Sequence, residues 1–189
     1  MNSHHFAGLF AGDKNVLPGF IRPFRRAAVL ALTCLLAGSV PLMNVKGPLI
    51  TGAADVCTVQ PPRGMAAIGH IVHNTGPAAL TLTDVSLIGA ENLNLRAAYV
   101  LPISDQTSYI LGTGTSEPEQ EEAIAAWDSM TAAESFNLAA GSSANIVVVL
   151  DTGQAQEGTS RGLRIVYEQN STEFASNASS AMTVAGRCF

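Results

Sequence analysis

A chain of 189 residues, 47% apolar and 13% charged, is long enough to bury one core and too sparsely charged for a coiled coil or a charge-rich disordered protein. Its 17 glycines and 9 prolines follow no Gly-X-Y period, which excludes a collagen-like fibre. A net charge of −5 at pH 7 argues against a nucleic-acid partner, and none is expected.

The charge is divided along the chain. Residues 1–54 hold Lys14, Arg22, Arg25, Arg26 and Lys46 against Asp13, whereas everything after them holds 14 acidic side chains, five arginines and no lysine. Arg22, Arg25 and Arg26 stand just before an uncharged apolar run of 17 residues, 27–43, which predicts an export signal or a membrane anchor. As a helix the run would span roughly 25 Å against a hydrocarbon core of about 30 Å, so its length fits an anchor or a cleaved signal. Small residues at Ala37-Gly38-Ser39 and Gly52-Ala53-Ala54 offer two cleavage sites. The expected organisation is a basic cytoplasmic tail 1–26, an anchor or signal helix 27–43, a linker 44–56 and an extracytoplasmic domain 57–189. The predicted location is the cytoplasmic membrane, crossed once with the domain outside, or secretion if the signal is cut.

Past the linker, short segments of alternating hydrophobicity separated by Gly, Pro, Asn and Ser predict antiparallel strands. Residues 65–74 read as one strand, ended by Thr75-Gly76-Pro77, and 80–88 as its hairpin partner. The apolar phase slips between Leu82 and Val85, so a bulge is expected near Thr83-Asp84. Leu93, Leu95, Ala97, Tyr99, Leu101 and Ile103 would share the core face of the next strand, with Asn92, Asn94 and Arg96 outward.

Between Ile103 and Phe136 a helix is expected, because the stretch is too long for a hairpin loop. Ser116-Glu117-Pro118-Glu119 has capping-box spacing, acids follow at Glu121 and Glu122, and Ile124, Trp127 and Met130 are helically spaced. Trp127 is expected to pack on the sheets; the functional alternative is an acidic partner-binding flap of Glu119, Glu121, Glu122 and Trp127. Further on, residues 144–150 (ANIVVVL) predict a strand buried on both faces or one crossed by an insertion, entered through Gly141-Ser142-Ser143. Leu163, Ile165 and Tyr167 then alternate with Arg164, Val166 and Glu168, and Met182, Val184 and Cys188 would point inward together.

Outside the apolar run only Cys57 and Cys188 remain, an even pair that predicts a disulfide in an exported domain. In the chain-entropy account so long a loop removes roughly 5 kcal/mol of denatured-state entropy. The expected fold is all-β: an antiparallel sandwich with an inserted short helix.

The string Gly69-His70-Ile71-Val72-His73-Asn74-Thr75-Gly76, followed by Leu80-Thr81-Leu82-Thr83-Asp84-Val85, resembles the opening hairpin of bacterial cell-surface immunoglobulin-like domains. Leu138-Ala139-Ala140-Gly141-Ser142 resembles their "L-x-P-G-x" edge turn with Ala140 in place of proline, and Gly162-Leu163-Arg164-Ile165-Val166-Tyr167 their penultimate strand. The resemblance covers residues 65–189. It implies an immunoglobulin-like sandwich, a fold that serves spacers, adhesins and ligand-binding modules alike.

HExxH, Walker and GxGxxG strings are missing from the sequence, and its one GxSxG string, Gly158-Thr159-Ser160-Arg161-Gly162, leads into the strand pattern of Leu163, Ile165 and Tyr167 rather than into the helix a nucleophile elbow requires. Glu121 and Glu122 are adjacent rather than facing, so they do not form an acid–base pair. His70 and His73, an odd distance apart, fall on opposite faces of a strand. The expectation is a non-enzymatic module without a cofactor that binds or assembles with a protein of the envelope. The alternative is an extracytoplasmic copper carrier using His70, His73, Met65 and Met182, whose imidazole and thioether groups suit Cu(I).

Overall fold

The computed structural model describes residues 46–104 and 110–188. The expected tail 1–26 and apolar helix 27–43 lie outside the described residues, among which no helix is long and apolar enough to cross a membrane. The chain runs β1 (Leu49–Thr51), β2 (Val56–Val59), β3 (Ala66–Asn74), β4 (Leu80–Ile88), β5 (Asn94–Ile103) and β6 (Thr113–Thr115) to one helix, α1 (Glu121–Asp128). It continues through β7 (Thr131–Ala132), β8 (Asn137–Leu138), β9 (Ser143–Asp151), β10 (Glu157–Ser160), β11 (Gly162–Gln169), β12 (Thr172–Ala178) and β13 (Met182–Ala185).

These strands form a sandwich. One layer is a sheet of order β1-β3-β9-β5-β7 in which β6 also pairs with β3; the other combines β12-β11-β4-β8 with the small sheet β10-β13-β2. Between them, Ile68 and Val72 of β3, Val100 of β5 and Ile146, Val148 and Leu150 of β9 meet Leu82, Ile165, Tyr167 and Met182 from the opposite layer. Burial of these aliphatic and aromatic side chains is the main stabilising term, at roughly 25 cal/mol per Å² of apolar area. The two-sided burial expected for 144–150 is present, since no residue of that run is more than 2% exposed.

The bulge expected near Thr83 is also present. Asp84 pairs with Val166 and Leu82 with Tyr167, leaving Thr83 unpaired and returning Val85 and Leu87 to the core side.

Several expectations need correction. Strand β4 is not the hairpin partner of β3: it pairs with β11 and β8 in the opposite layer. Residues 75–79 therefore cross between layers, pinned by buried Asn74. Its Nδ2 donates to the carbonyls of Ala78 (2.9 Å), Leu138 (3.1 Å) and Ala139 (3.0 Å), while its Oδ1 accepts from Gly76 N–H at 3.0 Å. Turn-forming residues signal a reversal without saying whether the next strand rejoins the same sheet.

The single core face read along Leu93 to Ile103 is interrupted by a register shift between Leu95 and Ala97. Leu93 and Leu95 contribute to the sandwich core, but beyond the shift Ala98 and Val100 do so, and Tyr99 turns to the outer face. Residues 44–56, expected as a linker, contain β1, which pairs with β3. The strand that resembles a penultimate one, β11, is followed by both β12 and β13.

Cys57 and Cys188 form the expected disulfide, with Cα atoms 5.8 Å apart. It closes the parallel pair β2–β13, in which Cys57 stands opposite Thr183. Cys188 does not point inward, however. Strand β13 ends at Ala185, so the alternation no longer governs residue 188, and both cysteines are exposed. Replacing both with serine is expected to cost about 2–5 kcal/mol in urea unfolding, with β13 the first strand to lose amide protection.

Candidate functional site

The outer face of the six-stranded sheet is built to receive a covering segment. Ala67 and Val147 form a second small core there with Leu111, against which Trp127 and Met130 pack. Trp127 also lies tilted on Tyr99, with ring centroids 5.8 Å apart and planes at 58°. Trp127 is half-buried and Ala126 buried beneath the helix, but Ile124, expected on the packing face, is 41% exposed.

Two strand residues hold the approach to this helix. Gly69 N–H donates to Gly112 C=O at 2.8 Å, and Asn145 Nδ2 donates to Leu111 C=O at 2.8 Å. A Cβ at Gly69 would run into the Leu111 carbonyl, so only glycine permits so close an approach. Asn145 is completely buried, and its Oδ1 has no hydrogen-bond partner among the described residues. Neither residue was singled out in the sequence. The one available signal was an asparagine inside an otherwise apolar strand.

The helix starts at Glu121, later than the capping-box spacing suggested, and its N-cap Gln120 makes no side-chain capping bond. Ser116 is committed elsewhere: its Oγ accepts from Met65 N–H at 2.9 Å. Thr115 Oγ1 donates to Arg63 C=O and accepts from Glu117 N–H, both at 3.1 Å, which fastens the segment ahead of the helix to the β2–β3 connection.

Between that connection and the helix start lies a cleft of about 700 Å³, within the usual range of ligand sites. Glu119 lines it together with Glu117, Arg63 and β6, whereas Glu121 and Glu122 stand exposed on the first turn of α1. Trp127 sits under the helix. The four residues expected in an acidic flap are thus split between a cleft wall, a solvent face and a packing face.

The histidines are not brought together. His70 faces the sandwich core, 7% exposed, and its Nε2 donates to Met182 Sδ at 3.3 Å. His73 lies on the other face of β3, its Nδ1 hydrogen-bonded to Ser143 Oγ at 2.9 Å. Among the described residues no group of three or more His, Cys, Asp or Glu side chains is placed to hold a metal ion.

Burial lowers the pKa of His70 below 6.5 because the imidazolium would lose its hydration. At the end of β9 the Arg96 guanidinium, hydrogen-bonded to Asp151 at 2.5 Å, and then Gly153 N–H hold the Asp151 carboxyl below its ordinary 3.8.

With this geometry in view, the described chain is an all-β sandwich carrying one short helix on an outer sheet face. No protein-family model and no curated protein matches the chain. Among solved structures, it is similar to the VesB protease of Vibrio cholerae, at 11% identity and a TM-score of 0.37 over 73% of this chain, and spans 32% of that protein's length. It is also similar to PapD-like domain 7 of human CEP192 (6% identity, TM-score 0.38), over 74% of this chain and 85% of that one. The CooA pilin subunit of enterotoxigenic Escherichia coli gives 10% identity and a TM-score of 0.30, over 74% of this chain and 97% of that one. All three likenesses have TM-scores below 0.5, and neither family nor role passes from them to this chain.

Two outcomes follow from the buried polar groups. The unfolded chain takes up a proton at His70 near pH 6.5 while the folded chain resists it, so stability is full above that pH and declines as pH falls below it. Thermal melts at about pH 7.5 and 5.5 should show this decline in the parent and a smaller one in His70→Leu. Asn145→Ala releases the Leu111 carbonyl, with an expected loss of about 1–3 kcal/mol. Because Trp127 is the only tryptophan, a red shift of its emission with unchanged far-ultraviolet dichroism would report loosening of the helix while the sandwich persists.

Proposed function

We propose that the protein is a non-enzymatic, extracytoplasmic β-sandwich module that binds, or assembles with, a protein of the cell envelope. The apolar run 27–43, preceded by three arginines, would hold it at the cytoplasmic membrane, or export it if cut. The Cys57–Cys188 disulfide suits an oxidising compartment, because exposed cysteines are kept reduced in the cytosol.

The observation that carries the binding role is the helical flap itself. Anchored through Gly69 and Asn145, the segment covers Val147 on the outer sheet face and opens a cleft of about 700 Å³ beside it. The segment from 110 to 134 carries Glu117, Glu119, Glu121, Glu122, Asp128 and Glu134, all exposed, and no Lys or Arg. Acidic, exposed and rigidly mounted, such a surface favours a basic partner and repels acidic ones.

A photo-crosslinking residue placed at Glu122, on the flap, or at Arg164, exposed on β11, tests this in the native host. Position 122 should yield an adduct with an envelope protein and position 164 should not. Equal labelling at both positions, or none at either, would count against the binding role.

A further inference from the structure

The edge of β3 that faces away from β9 carries two short strands, β1 against residues 72–74 and β6 against 66–68. Hydrogen bonds from Gly69 N–H to Gly112 C=O (2.8 Å) and from Ser116 N–H to Met65 C=O (2.9 Å) set the phase of the second pairing. In an antiparallel ladder, alternate residues bond to the same neighbour. Residues 112, 114 and 116 therefore turn to β3, and Thr113 and Thr115 direct their main-chain N–H and C=O the other way.

The two short strands end differently. On β1 the outward groups of Leu49 are occupied: its N–H donates to the Tyr167 hydroxyl and its C=O accepts from Ser176 Oγ, each at 3.2 Å. On β6 no described residue bonds to the outward main-chain groups of Thr113 and Thr115, and all three β6 residues line the cleft. An unpaired strand edge is a template for another extended chain. This one is reached through a cleft with Pro61, Pro62, Pro118 and Leu111 in its walls, and with Glu117 and Glu119 set against Arg63.

We propose that this cleft is a strand-addition site: an extended segment of a protein partner pairs with the outward edge of β6 and reaches Glu117 and Glu119 with a lysine or arginine side chain. Main-chain hydrogen bonds supply sequence-independent affinity, and the two carboxylates supply selection for a cation. Arg63 is the one base among the residues that line the cleft, against two carboxylates, so the wall keeps a net negative charge for an incoming cation. The proposal rests on the reading of the domain as a protein-binding module and specifies where and how the partner sits.

The test uses the full chain in detergent and two capped octapeptides of alternating Val and Thr, one with a central Lys and one with Glu in its place. The Lys peptide should bind about tenfold more tightly than the Glu peptide and slow amide exchange across 113–115. Glu117→Lys combined with Glu119→Lys should reverse the preference. Thr113→Pro, which removes an outward donor while sparing the bonds to β3, should weaken the Lys peptide by about tenfold. Binding without protection at 113–115, no preference between the peptides, or no binding at all would each overturn the proposal. If the peptides stay silent while position 122 still crosslinks to an envelope protein, only the strand site falls; silence in both experiments removes the binding role as well.

Discussion

Because Ile146, Val148 and Leu150 face one side of β9 and Val147 and Val149 the other, with none more than 2% exposed, the six-stranded sheet must be covered on both faces at its centre. The inner cover is the second layer of the sandwich. The outer cover is the segment that ends in α1, which buries Val147 beneath Leu111, Trp127 and Met130. A strand with aliphatic side chains on both faces is destabilising until both covers are in place, so the helix that forms the candidate site is also part of the fold. The flap and its cleft are consequences of that one strand.

Fastening the outer cover creates a polar problem on an apolar face. The chain turns its carbonyls at Leu111 and Gly112 toward the sheet, where they require donors. Gly69 supplies one from its backbone and Asn145 the other from its side chain, and the absence of a Cβ at position 69 lets the two chains approach. The helix is then held by packing rather than by its own capping, consistent with an N-cap that makes no side-chain bond. His70 shows the same economy on the opposite face, where a buried imidazole is kept neutral and satisfied by a methionine sulfur.

Much of the fold was legible because strand patterning is local. Alternation identified β11, the continuous apolar run identified β9, and the slip between Leu82 and Val85 identified the bulge at Thr83. Errors arose where pairing is long-range. Thr75-Gly76-Pro77 marks a reversal, but Asn74 reaching Leu138 and Ala139 decides that the reversal crosses between layers. The second phase shift, near Arg96, was hidden because alanines at 97 and 98 read equally well on either face. At the candidate site Glu119 and Trp127 were visible by charge and by size, whereas Gly69, Asn145 and the outward edge of β6 carried no local signature.

The sequence alone determined the all-β class, the alternating core of β11, the pairing of the only two cysteines beyond the apolar run, and the division into a basic, apolar beginning and an acidic remainder. Each is a property of composition or of short-period patterning, which survives without knowledge of the partners in space. Only the tertiary structure decided which layer β4 joins, that Cys188 lies exposed beyond its strand, and that Glu119 alone of the expected acidic residues faces the cleft. It also decided that, along the β3 edge turned away from β9, Leu49 of β1 bonds outward to Tyr167 and Ser176 while β6 lines that cleft. These depend on contacts between segments distant in the chain, where hydrogen-bond satisfaction and layer packing choose among arrangements that local pattern leaves equally good.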